Sequence, residues 1–498
     1  MVIRNLRPLD VRTTERARPH AGRVAALTAT AVLLLAMICL GPAQKAQAVG
    51  PTDTMVNLWD DAATRALLAT SSVIGGEANE YFGLVHTAIY DAVVATRGGY
   101  EPLIYKSTAY RGGSAEAAVA AAGRPVLLTL LPGQAAIAND AYIASLALIP
   151  DSKARQDGIA AGEAAAQAVL ATREATGIDT TLNYAAPNPP QPGVWEPVAN
   201  PPVRAIGMYL GRLTPNFLPG AAAFRPGGPP QLSSAAYATA FNEVKSVGAK
   251  NSTARTADQT AAALFWSENP GAQLHKALRK FVTDHQLDVV EASRFMAMTS
   301  VASAESLIAC FDAKYKYVFW RPILAIRRAD TDGNDQTAQD EAWEPLIPTV
   351  NHPEYPSAHS CVTPATALMI ANFLGTNAID FTMESTVAGR PARHFATAEA
   401  LRIEVENARI WGGIHFRFSQ DDGTAIGRAV YAHLSANYFK TAPGGLGPGP
   451  GLTVPASPLP PNTGSGQATG NNDAFPWLAG GVALMLLAGY LLTRCRRT

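Results

Sequence analysis

Cysteine is scarce in this chain. Of 498 residues only four are cysteine, and two of those, Cys39 and Cys495, fall in the terminal segments. That excludes the dense disulfide framework of small secreted domains, and no pair has zinc-site spacing. The remaining two, Cys310 and Cys361, read as buried thiols, with a disulfide as the alternative in an exported chain. Excess charge is also absent: 40 Lys and Arg balance 40 Asp and Glu. No global field draws nucleic acid or an acidic polymer, so any cationic site has to be local. Sustained alternation of apolar and polar residues is missing too, which sets aside a β fold. What is present is an ordinary 48 % of hydrophobic residues, enough for a sizeable core, and many stretches of helical period. The expected class is all-α, a large helical bundle.

The ends have their own composition. Residues 1–23 carry six arginines and no lysine, Val24 to Leu40 is apolar, and Ala46-Gln47-Ala48 is a small-x-small site. Residues 1–48 therefore read as a signal peptide with a long basic leader. At the other end, 443–474 is a Gly/Pro-rich linker. It contains Leu459-Pro460-Pro461-Asn462-Thr463-Gly464, a sortase-like signal with one extra residue. Phe475 to Leu492 is long enough to span a bilayer, and Arg494, Arg496 and Arg497 would hold the tail inside. The expectation is an exported body at the cell surface, attached to membrane or wall through its C-terminus.

Between these ends, 49–285 reads as an N-terminal helical part and 286–442 as the core. The mature chain opens with Asn57–Thr70, and helices are expected over Glu80–Thr96, Ala115–Leu131, Asp151–Ala175, Ser234–Val247, Ala254–Trp266, Gln273–Thr283, Leu287–Lys314, Thr397–Ile410 and Asp422–Tyr438. Pro125 should kink or split its helix. His86 reads as a packed helix histidine. Residues 186–231 are dense in proline and glycine, with Trp195, Tyr209 and Phe217 between them. They read as an extended segment laid over the helical body, at the mouth of a pocket.

The chemistry gathers around His352-Pro353-Glu354-Tyr355-Pro356-Ser357-Ala358-His359. Pro356 keeps the preceding residue out of helix, so Ser357 reads as an N-cap before a helical run through Leu374. The first amides of such a helix form an anion site, and His359 stands in its first turn. Upstream lie Lys314 and, after six residues, Arg321-Pro322; downstream lie Ala408-Arg409 and, after five residues, His415. Three cations, a hydroxyl, free amides and two histidines suit a tetrahedral oxyanion. Gly412-Gly413, just before His415, would let backbone approach it closely.

This layout resembles the superfamily of vanadium-dependent haloperoxidases and type 2 phosphatidic acid phosphatases, whose pattern is Lys-x6-Arg-Pro, Pro-Ser-Gly-His, then Ser-Arg-x5-His-x3-Asp. The stretch Glu80–Thr96 and the portion Trp195–Phe224 resemble its bacterial haloperoxidase-like group. The resemblance implies a helical bundle with the anion in its core. Lys314, Arg321, Ser357, Arg409 and the Ala358 amide would bind its oxygens. His359 would move protons, and His415 would bond the central atom, as the sole protein ligand of vanadate or as the nucleophile of a phosphatase. Glu305 would brace the arginines, and His352 occupies a position where bromide-oxidising members tend to have histidine. Three positions depart from the pattern: Ala358 for glycine, Ala408 for serine, and Ser419 for the aspartate that orients the ligand histidine. The last weakens the phosphatase alternative, since Asp421 and Asp422 look like caps of the final helix. The implied enzyme uses vanadate and hydrogen peroxide to oxidise halide to hypohalous acid, with an organic acceptor downstream. The alternatives are an acid phosphatase acting through a phosphohistidine and a non-catalytic phosphate-binding surface protein.

Overall fold

The structure, a computed structural model, describes residues 54–73, 75–174, 181–198 and 204–443. The expected signal peptide, sortase-like signal and C-terminal span lie outside the described residues. Among the described residues no helix is long and apolar enough to cross a membrane.

The body is predominantly helical. In chain order the helices are α1 (Met55–Leu68), α2 (Ala78–Arg97), α3 (Ala115–Leu130), α4 (Ala135–Ala147), α5 (Lys153–Glu174), α6 (Ala235–Val247), α7 (Ala257–Phe265), α8 (Pro270–Asp284), α9 (Val289–Tyr317), α10 (Pro322–Arg327), α11 (Ala358–Leu374), α12 (Ala398–Trp411) and α13 (Arg417–Asn437). Local signals set most of the starts. Side chains of Thr54, Ser114, Ser234, Thr256, Asn269, Asp288 and Thr397 accept from amides of the following turn.

The all-α expectation needs one correction. Ala378–Met383 (β1) and Arg393–Thr397 (β2) form an antiparallel hairpin in which Phe381 faces Phe395. Along β1 the burial alternates, with Ile379, Phe381 and Met383 inside, as a half-buried strand requires.

The 29-residue α9 is the axis of the body. It packs on α2 toward the N-terminal group and on α11 and α13 toward the C-terminal group. Close approach on both sides depends on small residues. A Cβ on Gly83 of α2 would lie 2.7 Å from Ala304 Cβ of α9, and one on Gly427 of α13 would lie 2.3 Å from Cys361 O of α11. Pro125 does not split α3, which runs unbroken through it while packed between α2 and α5. Cys310 of α9 and Cys361 of α11 are joined in a disulfide with Cα atoms 6.2 Å apart, so the two-thiol reading is overturned. Asp421 and Asp422 do not cap α13, which starts at Arg417; Asp422 accepts instead from the Tyr355 hydroxyl at 2.7 Å.

The proline-rich segment lies against the body as expected, with Trp195, Tyr209 and Phe217 buried. Trp195 N donates to Val318 O, and Ile206 N donates to Asn351 O. His86 is a packed histidine: with His275 it flanks Asp60, at 2.8 and 2.6 Å, and Arg279 closes the group at 2.5 Å. Although burial raises the Asp60 carboxyl, His275 and Arg279 hold it well below the usual range. His, His and Asp could hold a metal, but the Arg279 guanidinium already answers the carboxylate. We read the group as a staple joining α1, α2 and α8.

Candidate active site

Four pieces of chain meet at one end of the α9–α11 pair. Lys314 lies in the last turn of α9, and Arg321 follows just before α10. The loop 350–357 brings His352 and Ser357 to the start of α11, whose first two residues are Ala358 and His359. Arg409 is in the last turn of α12, and His415 lies in the short connection to α13. Lys314, Arg321, Ser357, Arg409 and His415 are all at most 3 % exposed.

The cations are not equivalent. Lys314 Nζ donates to Pro353 O and Glu354 O, both at 2.9 Å, and to Pro356 O at 2.5 Å. Its three donors are thereby used. It ties the 353–356 loop and contributes charge, which corrects the expectation of a direct oxygen contact. Arg321 donates from Nε to His352 O, and from Nη1 to Ile414 O and to His415 Nε2 at 3.1 Å. Arg409 donates from Nη1 to Trp266 O, and its Nε has no partner. The Ser357 hydroxyl makes no cap bond and has no partner either, although the residue occupies the expected N-cap position. The amides of Ala358, His359 and Ser360 precede the first intrahelical bond, Cys361 N to Ser357 O.

Burial governs the titration of the cluster. It pulls Arg321 down to about 10. Burial first, then the Arg321 charge, pull Arg409 to about 9. Lys314 and all three histidines lie well below their ordinary values, again through burial first and then their cationic neighbours. Among the described residues the carboxylate inside this group is Glu354, against three cations. A buried cluster with more positive than negative charge calls for an anion.

Glu354 was missed in the sequence. It is fully buried, and its Oε1 accepts from His415 Nδ1 at 2.7 Å and from Phe416 N at 3.0 Å. Ser419, in the place expected for the orienting aspartate, reaches His415 Nδ1 only at 3.5 Å. The carboxylate therefore comes from 61 residues upstream, and the Ser419 departure no longer argues against a phosphatase. The only hint in the sequence was an acid inside the proline-rich turn before Ser357.

Two further expectations fail on geometry. Glu305 does not brace the site arginines. It accepts from Asn216 N at 2.9 Å and Phe217 N at 3.3 Å, and the arginine that influences it is Arg173. The glycines before His415 serve packing rather than anion approach. Gly413 has φ +77°, and a Cβ there would meet Gly248 O at 2.4 Å; one on Gly412 would meet Ile347 at 2.7 Å.

Ala358, His359, Arg409 and His415 line one part of a cavity of about 290 Å³. Similarity to known proteins falls on this same region. Residues 294–442 match the family described as VCPO second helical-bundle domain. Over that segment the chain is similar to the vanadium haloperoxidase superfamily. Two solved structures extend the likeness in fold. A bacterial vanadium-dependent iodoperoxidase is 22 % identical, with TM-score 0.67 over 78 % of this chain and 97 % of its own. The holo form of a bacterial vanadium-dependent chloroperoxidase is 18 % identical, with TM-score 0.59 over 77 % and 98 %. No curated protein matches. Within the superfamily pattern, Ala358 adds a methyl group to the cavity wall and leaves its amide in place.

Proposed function

We propose that this chain is a vanadate-dependent haloperoxidase-like enzyme that oxidises halide with hydrogen peroxide to hypohalous acid. The observation that carries the reading is the buried cluster of Lys314, Arg321 and Arg409 against one carboxylate, beside His415. The iodoperoxidase and chloroperoxidase names of the similar structures add weight to it. The residues fit vanadate: Ser357 Oγ and Arg409 Nε are buried polar atoms without a protein partner, and either could donate to an oxyanion.

His415 would hold the central atom through Nε2, whose lone pair faces Arg321 Nη1 in the free protein, since Nδ1 donates to Glu354. Arg321, Arg409, Ser357 and the α11 amides would hold the oxygens, and Lys314 would add charge from behind the loop. Vanadate, when bound, supplies the Lewis-acid centre that activates peroxide toward halide. His359 faces the cavity, and burial with Arg409, Lys314 and Arg321 keeps it neutral. It is therefore a base in the free protein, and a bound anion would raise its proton affinity and make it a proton carrier. His352, whose ring accepts from Arg321 Nη2 at 3.0 Å, would orient that guanidinium.

A second reading has one observation in its favour. The Glu354–His415 bond is what a phosphohistidine nucleophile needs, because a carboxylate on Nδ1 raises the basicity of Nε2. One assay separates the two. Protein freed of oxyanions is scanned over vanadate, with bromide-dependent bromination of phenol red and hydrolysis of p-nitrophenyl phosphate measured side by side. Bromination that rises with vanadate supports the proposal. Brisk hydrolysis without vanadate, and no bromination with it, moves the assignment to the phosphatase.

We also propose that the body faces outward, exported through residues 1–48 and held by 475–498. Protease treatment of intact cells should release it, and a body that survives unless the cells are lysed contradicts this placement.

A further inference from the structure

The cavity beside His359 extends well beyond the space an oxyanion needs. One face of α11 lines it, through His359, Val362, Thr363, Thr366 and Ile370, positions that recur at helical spacing. Leu307, Phe311, Trp266 and the hairpin residues Phe381 and Met383 also line it. Its volume of about 290 Å³ is at the small end of pockets that enclose organic ligands, which start near 300 Å³. Ser267 and Asn269, both exposed, mark the side open to solvent.

Among the polar groups of this lining, two away from the anion site are left unsatisfied. Thr366 Oγ1 and Asn79 Oδ1 are buried and have no hydrogen-bond partner, on residues each 4 % exposed. A helix threonine ordinarily satisfies its hydroxyl on the carbonyl of the preceding turn; Thr366 does not. Leaving two such groups unsatisfied is costly, on the order of 1–3 kcal/mol each. A ligand that brings a hydroxyl or amide to them would remove that cost. Thr366 lies seven residues after His359, about 10 Å along the helix axis. A molecule anchored at Thr366 would therefore point its other end at the anion site.

We infer that this cavity is a binding subsite for a small aromatic alcohol of one or two rings, whose hydroxyl is read by Thr366 and Asn79 and whose ring lies toward His359. This deepens the proposed function, since such a ring is an acceptor for the oxidised halide. The binding claim itself requires only the cavity.

The test is calorimetric titration of 1-naphthol into protein without vanadate. The expected result is saturable binding with one site per chain. Thr366→Val, which keeps the shape and removes the hydroxyl, should weaken it about tenfold, the cost of one hydrogen bond. Ile370→Trp, which fills the cavity, should abolish it. Thermal melts show whether each variant is folded, and Thr366→Val keeps the test decisive where Ile370→Trp is not. Absence of saturable binding to wild type, or equal affinity in wild type and folded Thr366→Val, overturns the subsite. Naphthol binding with the expected losses, in a protein that brominates nothing at any vanadate level, leaves the subsite standing and removes the haloperoxidase reading.

Discussion

At the scale of single residues, Glu354 decides how His415 behaves. The imidazole donates Nδ1–H to this carboxylate at 2.7 Å, which fixes the tautomer and leaves Nε2 as the lone-pair side. Glu354→Gln keeps the size but weakens the acceptor. We expect vanadate or phosphate affinity to fall about 10- to 100-fold, the usual effect of removing a ligand's hydrogen-bond partner, and equilibrium dialysis would measure it. Unchanged affinity would reassign Glu354 to loop structure alone. His415→Ala and His359→Ala should differ in kind: the first loses the bound anion, while the second retains it and loses turnover. Equal retention of vanadate by both variants contradicts this division of roles. Most of these residues were legible in the sequence because each lies at a fixed spacing from a neighbour, as Lys314 does from Arg321 and Arg409 from His415. Glu354 was not, because its partner is 61 residues away and spacing carries no information at that range. Nor did spacing reveal that the Lys314 donors are consumed by backbone carbonyls.

At the scale of elements, helices with a polar cap and a clear apolar stripe were legible to within a few residues. Helices α4 and α10 and both strands were not. Helix α4 has apolar residues on both its buried and exposed sides, with Ala138 and Ala141 buried and Ile143 exposed at 68 %, so it shows no face to read. Strand β1 has only six residues, too few for its alternation to stand out among helices. The start of α11 depends on contacts that periodicity does not report. Gly423 and Gly427 of α13 seat it against Ser357 O and Cys361 O, and the Cys310–Cys361 bond ties it to α9. Gly427→Ala should destabilise the protein by about 1–3 kcal/mol through overpacking, read as a lowered urea midpoint, and should weaken anion binding as the α11 amides shift. A stable variant with intact anion binding would show that this contact yields freely. Reduction of the disulfide, which closes a span of 51 residues, should cost about 2–4 kcal/mol, seen as a lower melting temperature in dithiothreitol.

At the scale of the whole molecule, buried carboxyls set how stability depends on pH, and they pull in opposite directions. Asp60 is held well below its ordinary value by His275 and Arg279 against the opposing effect of burial. Its contribution is present above the unfolded carboxyl range, near pH 4, and is lost as pH falls below it. Asp91 and Glu305 behave in the reverse sense. Burial raises Asp91 to about 6, even though it accepts from the amides of Leu103, Ile104 and Tyr105. Burial, helped by Glu80, raises Glu305 to about 8. Between their unfolded and folded values the native state binds more protons than the unfolded chain, so stability falls as pH rises. For Glu305 that window runs from near pH 4.5 to about 8 and involves a few kcal/mol, since each pH unit is worth about 1.4 kcal/mol. Below about pH 6.5 the buried histidines His275, His352, His359 and His415, which burial holds below their ordinary values, pull the other way and favour the native state as pH rises, so the Glu305 effect is read by difference between two proteins. Glu305→Gln keeps an oxygen for the Asn216 and Phe217 amides and removes the charge. Relative to wild type, it should gain stability progressively as pH rises from near 4.5 to about 8, while the acid limb, to which Asp60 and the buried histidines contribute, stays in place. Urea midpoints measured from about pH 3 to 9 on both proteins make the comparison. An undiminished slope in Glu305→Gln would mean that this carboxyl is already neutralised in the native protein by a partner other than burial, and that the α9–segment contact through Asn216 carries no charge penalty.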